Sequence, residues 1–242
     1  MPRTTEVAPD ALFDTHRTPT AIKLDNFERY VRRQQLSRFL VRYELFKTIL
    51  GIKGSIVECG VHNGGGLFAW AKLSASLEPV GLHRRVIGFD TFEGFPEVDV
   101  RDQAGAAGNP ELAAGGFAAQ PDSYRELQEC IRDFDENRFL NQFPKIELVR
   151  GDARETMPRY LAENQHLLVS LLFLDFDIYA PTKCALETFL PRMPKGAVIA
   201  FDEINNSAWK GETTAMLEVL GDINRYRIEK FPFDPNIAYI RL

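Results

Sequence analysis

Residues 57–66 read VECGVHNGGG, with four glycines in the seven positions from Gly60, between an apolar run and a segment of helical length. A glycine-rich turn that closes a strand and opens a helix lets backbone come close to a ligand, and the neighbouring residues decide which ligand. A P-loop needs Gly-Lys-Ser/Thr so that the lysine reaches the phosphates, whereas Leu67 and Phe68 follow Gly66. A dinucleotide fingerprint needs G-x-G-x-x-G and an acid about 20 residues on. Here Gly60-Val61-His62 breaks the first G-x-G, and Asp90, the acid closing the next strand-like run, lies 30 residues past Gly60. The pattern that remains is E-x-G-x-x-x-G, from Glu58 to Gly64.

Outward from this turn the chain alternates. SIVECG, RVIGFD, KIELVRGD, SLLFLDFD and GAVIAFDE are β-rich, and helix-length segments at 65–78, 121–139, 154–163, 181–190 and 211–221 separate them. That cadence predicts right-handed βαβ units and hence an α/β domain with a Rossmann-like, doubly wound parallel sheet. In RYRIEKFPFDPNIAYIRL, residues 225–242, two strand-like runs flank a turn-forming stretch and predict an antiparallel hairpin at the sheet edge. Residues 1–24 hold Pro2, Pro9 and Pro19 without periodicity and read as a flexible arm, leaving one domain over 25–242. Leu36, Phe39, Leu40, Tyr43, Phe46 and Leu50 predict an N-terminal helical extension, started by Asp25 with Glu28 and ended by Gly51. Residues 94–120 are too poor in large apolar residues to form core; a mobile lid and a disordered surface loop both fit them.

Acids recur where the strands end. Glu58 suits an ammonium group, Asp90 suits ribose hydroxyls, and Asp152 in Gly151-Asp152-Ala153 suits the exocyclic amine of adenine. A ligand with ammonium, ribose and adenine but no phosphate is S-adenosylmethionine. Gly60, His62 and Gly64 in the loop, Thr91 and Phe92 after Asp90, and Ala153 complete the expected cofactor contacts, although glycines after a strand also mark plain β-α turns.

Asp175 and Asp177 close SLLFLDFD, while Asp202 and Glu203 close GAVIAFDE, with a short crossover opening at Pro181 between them. Strands so joined are expected to be neighbours roughly 4.8 Å apart, ending on the ligand-binding edge. Converging carboxylates repel unless protonated or neutralised, and an all-oxygen cluster suits Mg²⁺ or Ca²⁺. A metal there would acidify a hydroxyl for in-line attack on a sulfonium methyl, with Asp175 taking the proton. The competing expectation is that Asp177 caps the next helix and Glu203 is solvated. His16, His62, His83 and His166 are weaker candidates.

The formal net charge of −5 and the lack of a long Lys/Arg run argue against nucleic acid as a partner. No apolar run nears the roughly 20 residues of a membrane span, and residues 1–14 lack a signal-peptide core, so the expected location is cytoplasmic. Cys59, Cys130 and Cys184 form neither a disulfide framework nor a zinc pattern.

VECGVHNGGG, GFDTFEGFP, LVRGDARETMP, LDFDIYAPTKCALE and the Asp202-Glu203 pair, in this order over residues 56 to 216, resemble the macrocin O-methyltransferase family of class I, metal-dependent sugar methyltransferases. The resemblance implies a seven-stranded sheet, S-adenosylmethionine, Mg²⁺ at the positions of Asp175, Asp202 and Glu203, and a mobile lid after GFP. It also implies a homo-oligomer joined through the N-terminal part, and an acceptor hydroxyl on a deoxysugar or related moiety of a natural product. Two departures stand out: members usually carry Asp-Asp where this chain has Asp202-Glu203, and NNSAWKGETTAM differs from the usual segment after that strand. Trp209 and Lys210 there, with Tyr179, are the expected acceptor-pocket residues, a packed Trp209 being the alternative. A nicotinamide-dependent sugar reductase or epimerase, which the glycine spacing disfavours, and a non-catalytic module that only binds S-adenosylmethionine are the competing functions.

Overall fold

Alternating β-rich and helical segments become strands and crossover helices of a single sheet. The computed structural model describes residues 9–103 and 111–242. Its strands are β1 (Ser55–Cys59), β2 (Val86–Asp90), β3 (Ile146–Arg150), β4 (Val169–Leu174), β5 (Val198–Phe201), β6 (Ile228–Lys230) and β7 (Ala238–Arg241). They lie in the order β3-β2-β1-β4-β5-β7-β6. The first five pair in parallel, while β7 runs antiparallel between β5 and β6, so the expected hairpin does close the edge.

The helices are α1 (Pro9–Thr15), α2 (Thr20–Asp25), α3 (Arg33–Ile49), α4 (Gly65–Leu77), α5 (Val100–Gln103), α6 (Ser123–Glu136), α7 (Ala153–Glu163), α8 (Tyr179–Phe189) and α9 (Gly211–Leu220). Alternation along the central strands sends Ile56, Leu171 and Phe173 into one core with α3 and α4, and Val57, Leu172 and Leu174 into a second with α7, α8 and α9. Both faces of β1 and β4 are therefore covered, and the strand order reverses between them. That reversal opens a crevice at the carboxyl ends of the strands.

Two expectations about the N-terminal part need correction. Helices occupy Pro9–Thr15 and Thr20–Asp25, where an aperiodic arm was expected; residues 1–8 lie outside the described residues. The long helix begins at Arg33, with the Gln35 side chain accepting the Arg32 N–H at 2.8 Å, and not at Asp25. Its buried face is Val41, Leu45, Phe46 and Ile49, whereas Leu36, Phe39, Leu40 and Leu50 stay exposed. The helix carries two apolar stripes one residue apart, and a 3.6-residue period does not say which one meets the sheet.

Candidate active site

A cavity of about 390 Å³ occupies the crevice. Every parallel strand contributes to its wall: Gly60 and His62 follow β1, Asp90 and Thr91 close β2, Asp152 and Ala153 follow β3, Asp175 and Asp177 follow β4, and Asp202 and Glu203 follow β5.

On the β1–β3 side, the glycine turn is held by Asp90. Its carboxylate accepts the backbone N–H groups of Val61 and His62 at 2.7 Å each and of Phe92 at 2.6 Å. A carboxylate has about four acceptor positions, so one remains for a ligand hydroxyl. Gly60 has φ +92° and lies so close to β4 that a Cβ would stand 2.0 Å from the Asp175 carbonyl oxygen. The turn thus needs glycine there for space as well as for backbone conformation. Asp152 caps α7 by accepting the Arg154 N–H at 2.9 Å, and the Arg154 guanidinium, hydrogen-bonded to it and to Glu97, holds its carboxyl below the usual range.

On the β4–β5 side, Asp175, Asp177 and Asp202 each offer an oxygen within 4.8 Å of the others. Burial pushes the Asp175 carboxyl up, and pushes Asp177 up to about 8 with help from the Asp175 and Glu203 charges. Arg38, from α3, opposes this with a two-point ion pair to Asp202. Asp177 does not cap α8: it has φ +61°, a strained backbone for a non-glycine residue, Ile178 is the N-cap, and the Tyr179 N–H is accepted at 2.9 Å by Asp102 of α5. Glu203 also departs from expectation. It lines the cavity, but its carboxylate accepts from the Asn206 side chain and lies outside the trio, whose third member is Asp177. Behind it, fully buried Glu212 accepts the Glu203 N–H at 2.9 Å.

Phe95 and Phe117, from the two limbs of the 94–120 insert, meet Trp209 with ring centroids 6.4 and 5.4 Å away, and all three line the cavity. The limbs are joined by hydrogen bonds from the Phe95 N–H to Gly116 O (3.0 Å) and from the Gly115 N–H to Phe95 O (2.9 Å). Residues 104–110 of the expected lid lie outside the described residues.

Five expected contacts do not reach the cavity wall: Glu58, Gly64, Phe92, Tyr179 and Lys210. Glu58 points under the start of α4, where a Cβ on Gly66 would meet its Oε1 at 1.8 Å, and faces Arg42 at 4.0 Å; burial pushes its carboxyl up to about 8. Gly64, φ +83°, is the N-cap of α4 and abuts Leu127. Phe92 packs on Tyr124, and Lys210 is the N-cap of α9. Tyr179 and Lys183 stand at the Tyr-x-x-x-Lys spacing of reductases, but both donate to Glu218 outside the cavity. Arg38, Arg154, Phe95 and Phe117 line it without having been expected there. The GFP and GDAR runs contain Phe95 and Arg154, while Phe117 lies in the far limb of the insert and Arg38 read as an ordinary solvent-facing cation.

The sequence pattern of macrocin O-methyltransferases (TylF) matches residues 32–219. The chain belongs to the macrocin O-methyltransferase family. It is similar to the 8-demethyl-8-(2,3-dimethoxy-α-L-rhamnosyl)-tetracenomycin-C 4′-O-methyltransferase of Streptomyces olivaceus, at 30% identity over 154 residues, 63% of this chain and 54% of that protein. The match thus spans about half the length of that curated relative. It is also similar to the calicheamicin methyltransferase CalS11, at 36% identity and a TM-score of 0.91 over 96% of this chain and 89% of that one. An apo structure of CalS11, a TDP-rhamnose 3′-O-methyltransferase in calicheamicin biosynthesis, gives 34% identity and a TM-score of 0.81 over 96% and 91%. The O-methyltransferase NovP, at 19% identity and a TM-score of 0.63 over 84% and 78%, shares the fold. In this family member, the seven-stranded class I methyltransferase sheet sets the glycine-turn wall and the carboxylate wall on one crevice.

Proposed function

We propose that the protein is an S-adenosylmethionine-dependent, Mg²⁺-assisted O-methyltransferase acting on a hydroxyl of a deoxysugar, free as a nucleotide sugar or carried on a natural product. The observation that carries the reading is one cavity, in a chain of this family, walled on one side by the glycine turn with Asp90 and Asp152 and on the other by Asp175, Asp177 and Asp202. Relatives named for rhamnose-bearing acceptors support the choice of sugar.

The residues present suit both groups. The open acceptor position on Asp90 and the place of Gly60 and Asp152 on the cavity wall support a seat for the adenosine and amino-acid ends of the cofactor. The acid trio supplies an all-oxygen donor set that one guanidinium does not neutralise, which suits Mg²⁺. When bound, the donor supplies an electrophilic methyl on a sulfonium, and Mg²⁺ acidifies the acceptor hydroxyl. The Asp175–Asp177 pair takes the hydroxyl proton, while Phe95, Phe117 and Trp209 shield that hydroxyl from water and offer faces to the C–H surface of a sugar. Exposed Leu36, Phe39 and Leu40 on α3, with Leu24 and Phe27 before it, support a homo-oligomer formed through this part. No helix among the described residues is long and apolar enough to cross a membrane.

Calorimetric titration with S-adenosylmethionine tests the cofactor. Transfer of a labelled methyl to TDP-rhamnose and to rhamnosylated aglycones, with and without EDTA, tests the acceptor and the metal. No cofactor binding would sink the proposal; full activity in EDTA would remove Mg²⁺ from it.

A further inference from the structure

Outside the cavity, a buried polar cluster lies where the insert meets the starts of α8 and α9. Asp102 of α5 is 2% exposed. One of its oxygens accepts the Tyr179 N–H at 2.9 Å, at the first turn of α8, and the other accepts the Asp99 N–H at 3.2 Å. The first oxygen fills the space above Gly211, the opening residue of α9: a Cβ there would stand 2.2 Å from it and 2.3 Å from the Tyr179 nitrogen. A single buried carboxylate thus sits at two helix N-termini, where backbone N–H groups and both helix dipoles favour negative charge. Arg101 secures the same docking from outside, its guanidinium 3.6 Å from the Tyr179 ring centroid and ion-paired with Asp99 and Glu218.

Both helices lead directly to the acid trio. Tyr179 follows Asp177 by two residues, and Asp177 keeps its left-handed backbone only because the flanking structure holds it. On the other helix, Gly211 precedes Glu212, whose carboxyl receives the Glu203 N–H next to Asp202. The carboxylates of the trio come from two different loops, and Asp102 is the side chain that touches the helix starts behind both.

We propose that Asp102 is a positioning residue for the acid trio: by joining the N-termini of α8 and α9 it sets the separation of Asp175 and Asp177 from Asp202. This inference rests on the proposed function for its catalytic consequence, but its structural consequence is readable from cation binding alone. Residues that orient metal ligands from behind typically change affinity or activity by about 10-fold to 100-fold when removed.

The test uses the full chain and Mn²⁺ as an EPR-visible probe, with cofactor binding measured separately. Asp102→Ala is expected to weaken Mn²⁺ binding and lower kcat by about 10-fold or more. Its S-adenosylmethionine affinity should stay within about threefold of wild type, because Asp90 bonds to the glycine turn and Phe92 while Asp152 bonds to Arg154; a role in general folding would move both. Asp102→Asn keeps an oxygen for the Tyr179 N–H and is expected to recover most of the Mn²⁺ affinity. Should Asp102→Ala fail to fold, Arg101→Ala, an exposed change, is expected to weaken Mn²⁺ binding by about threefold at unchanged cofactor affinity. Wild-type Mn²⁺ affinity in folded Asp102→Ala, or in Arg101→Ala where Asp102→Ala does not fold, would overturn the inference, as would equal losses of Mn²⁺ and cofactor binding. A wild-type protein that binds Mn²⁺ and S-adenosylmethionine yet methylates no sugar would overturn the proposed acceptor and leave Asp102 to be decided by the Mn²⁺ titrations.

Discussion

Arg38 and Asp202 form a two-point ion pair at the end of β5, with Nη2 donating to Oδ2 at 2.9 Å and Nη1 donating to Oδ1. Arg38 is a helical residue of the N-terminal extension, so this pair brings a guanidinium to a cluster of carboxylates that would otherwise repel. Replacing it by Met strips a buried acceptor of its partner, at a cost of roughly 1–2 kcal/mol, or roughly 2–8 °C in melting temperature for a chain of this size. Arg38→Met is therefore expected to melt lower than wild type in EDTA and to gain more from added Mg²⁺, because the cation takes over the lost compensation. Scanning fluorimetry with and without Mg²⁺ reads both; identical melting of the two proteins in EDTA would count against this role.

Asp177 makes the cation-free protein sensitive to pH. Its folded carboxyl is held up to about 8, first by burial and then by Asp175 and Glu203, with Arg38 opposing, against 3.8 for the ordinary group. A folded state that binds a proton the unfolded chain has released gains stability at low pH and loses it as pH rises from about 4 to about 8. Glu58, also held up to about 8, acts in the same direction. Without divalent cation the melting temperature should therefore be higher at pH 6 than at pH 8.5. Asp177→Asn should flatten that slope and saturating Mg²⁺ should reduce it; an unchanged slope in Asp177→Asn would place the sensitivity elsewhere.

Trp209 joins the insert to the segment after β5 by packing on Phe95 and Phe117. It follows β5, whereas Asp90 and Asp152 stand at the ends of β2 and β3, so its removal should separate acceptor from cofactor. Trp209→Ala is expected to raise the acceptor KM by about 10-fold, the loss of an aromatic face worth roughly 1.4 kcal/mol, at unchanged S-adenosylmethionine affinity. Steady-state kinetics in the acceptor with calorimetry in the cofactor distinguishes this from simple unfolding, which would lower both.

The sheet was legible because its signals are local and repeated: five β-rich runs, helix-length spacers and a turn-forming stretch between the last two strands. The strand-end acids were legible for the same reason, since topology alone carries Asp90, Asp152, Asp175 and Asp202 to one edge. What the sequence could not carry was side-chain direction. The competing expectation makes Asp177 a cap of the next helix, yet Asp102, 77 positions before Tyr179, accepts the Tyr179 N–H and leaves Asp177 to the cavity wall. Arg38 reaches Asp202 across 164 positions, and the choice between the two apolar stripes of α3 depends on which one the sheet covers. These are long-range packing outcomes, to which periodicity and spacing are blind.

Glu58 and Asp90 were both expected at the cofactor, and their surroundings divide them. Glu58 is 1% exposed, faces Arg42 beneath the start of α4, and is held near-neutral by burial. Glu58→Gln is nearly isosteric with that protonated form, so its S-adenosylmethionine affinity should stay within about threefold of wild type. Asp90 lines the cavity and receives three backbone N–H groups of the glycine turn and its neighbour. In Asp90→Asn one acceptor oxygen becomes a donor and faces an N–H, at a cost of roughly 1–3 kcal/mol in a buried setting. Part of that cost falls on the turn and part on the ligand hydroxyl, so cofactor affinity should fall by about 10-fold or more and the melting temperature should drop. Calorimetric titration of both variants reads the contrast. A larger loss in Glu58→Gln than in Asp90→Asn would return Glu58 to the cofactor site and make the glycine turn, not the β2 end, the main cofactor contact.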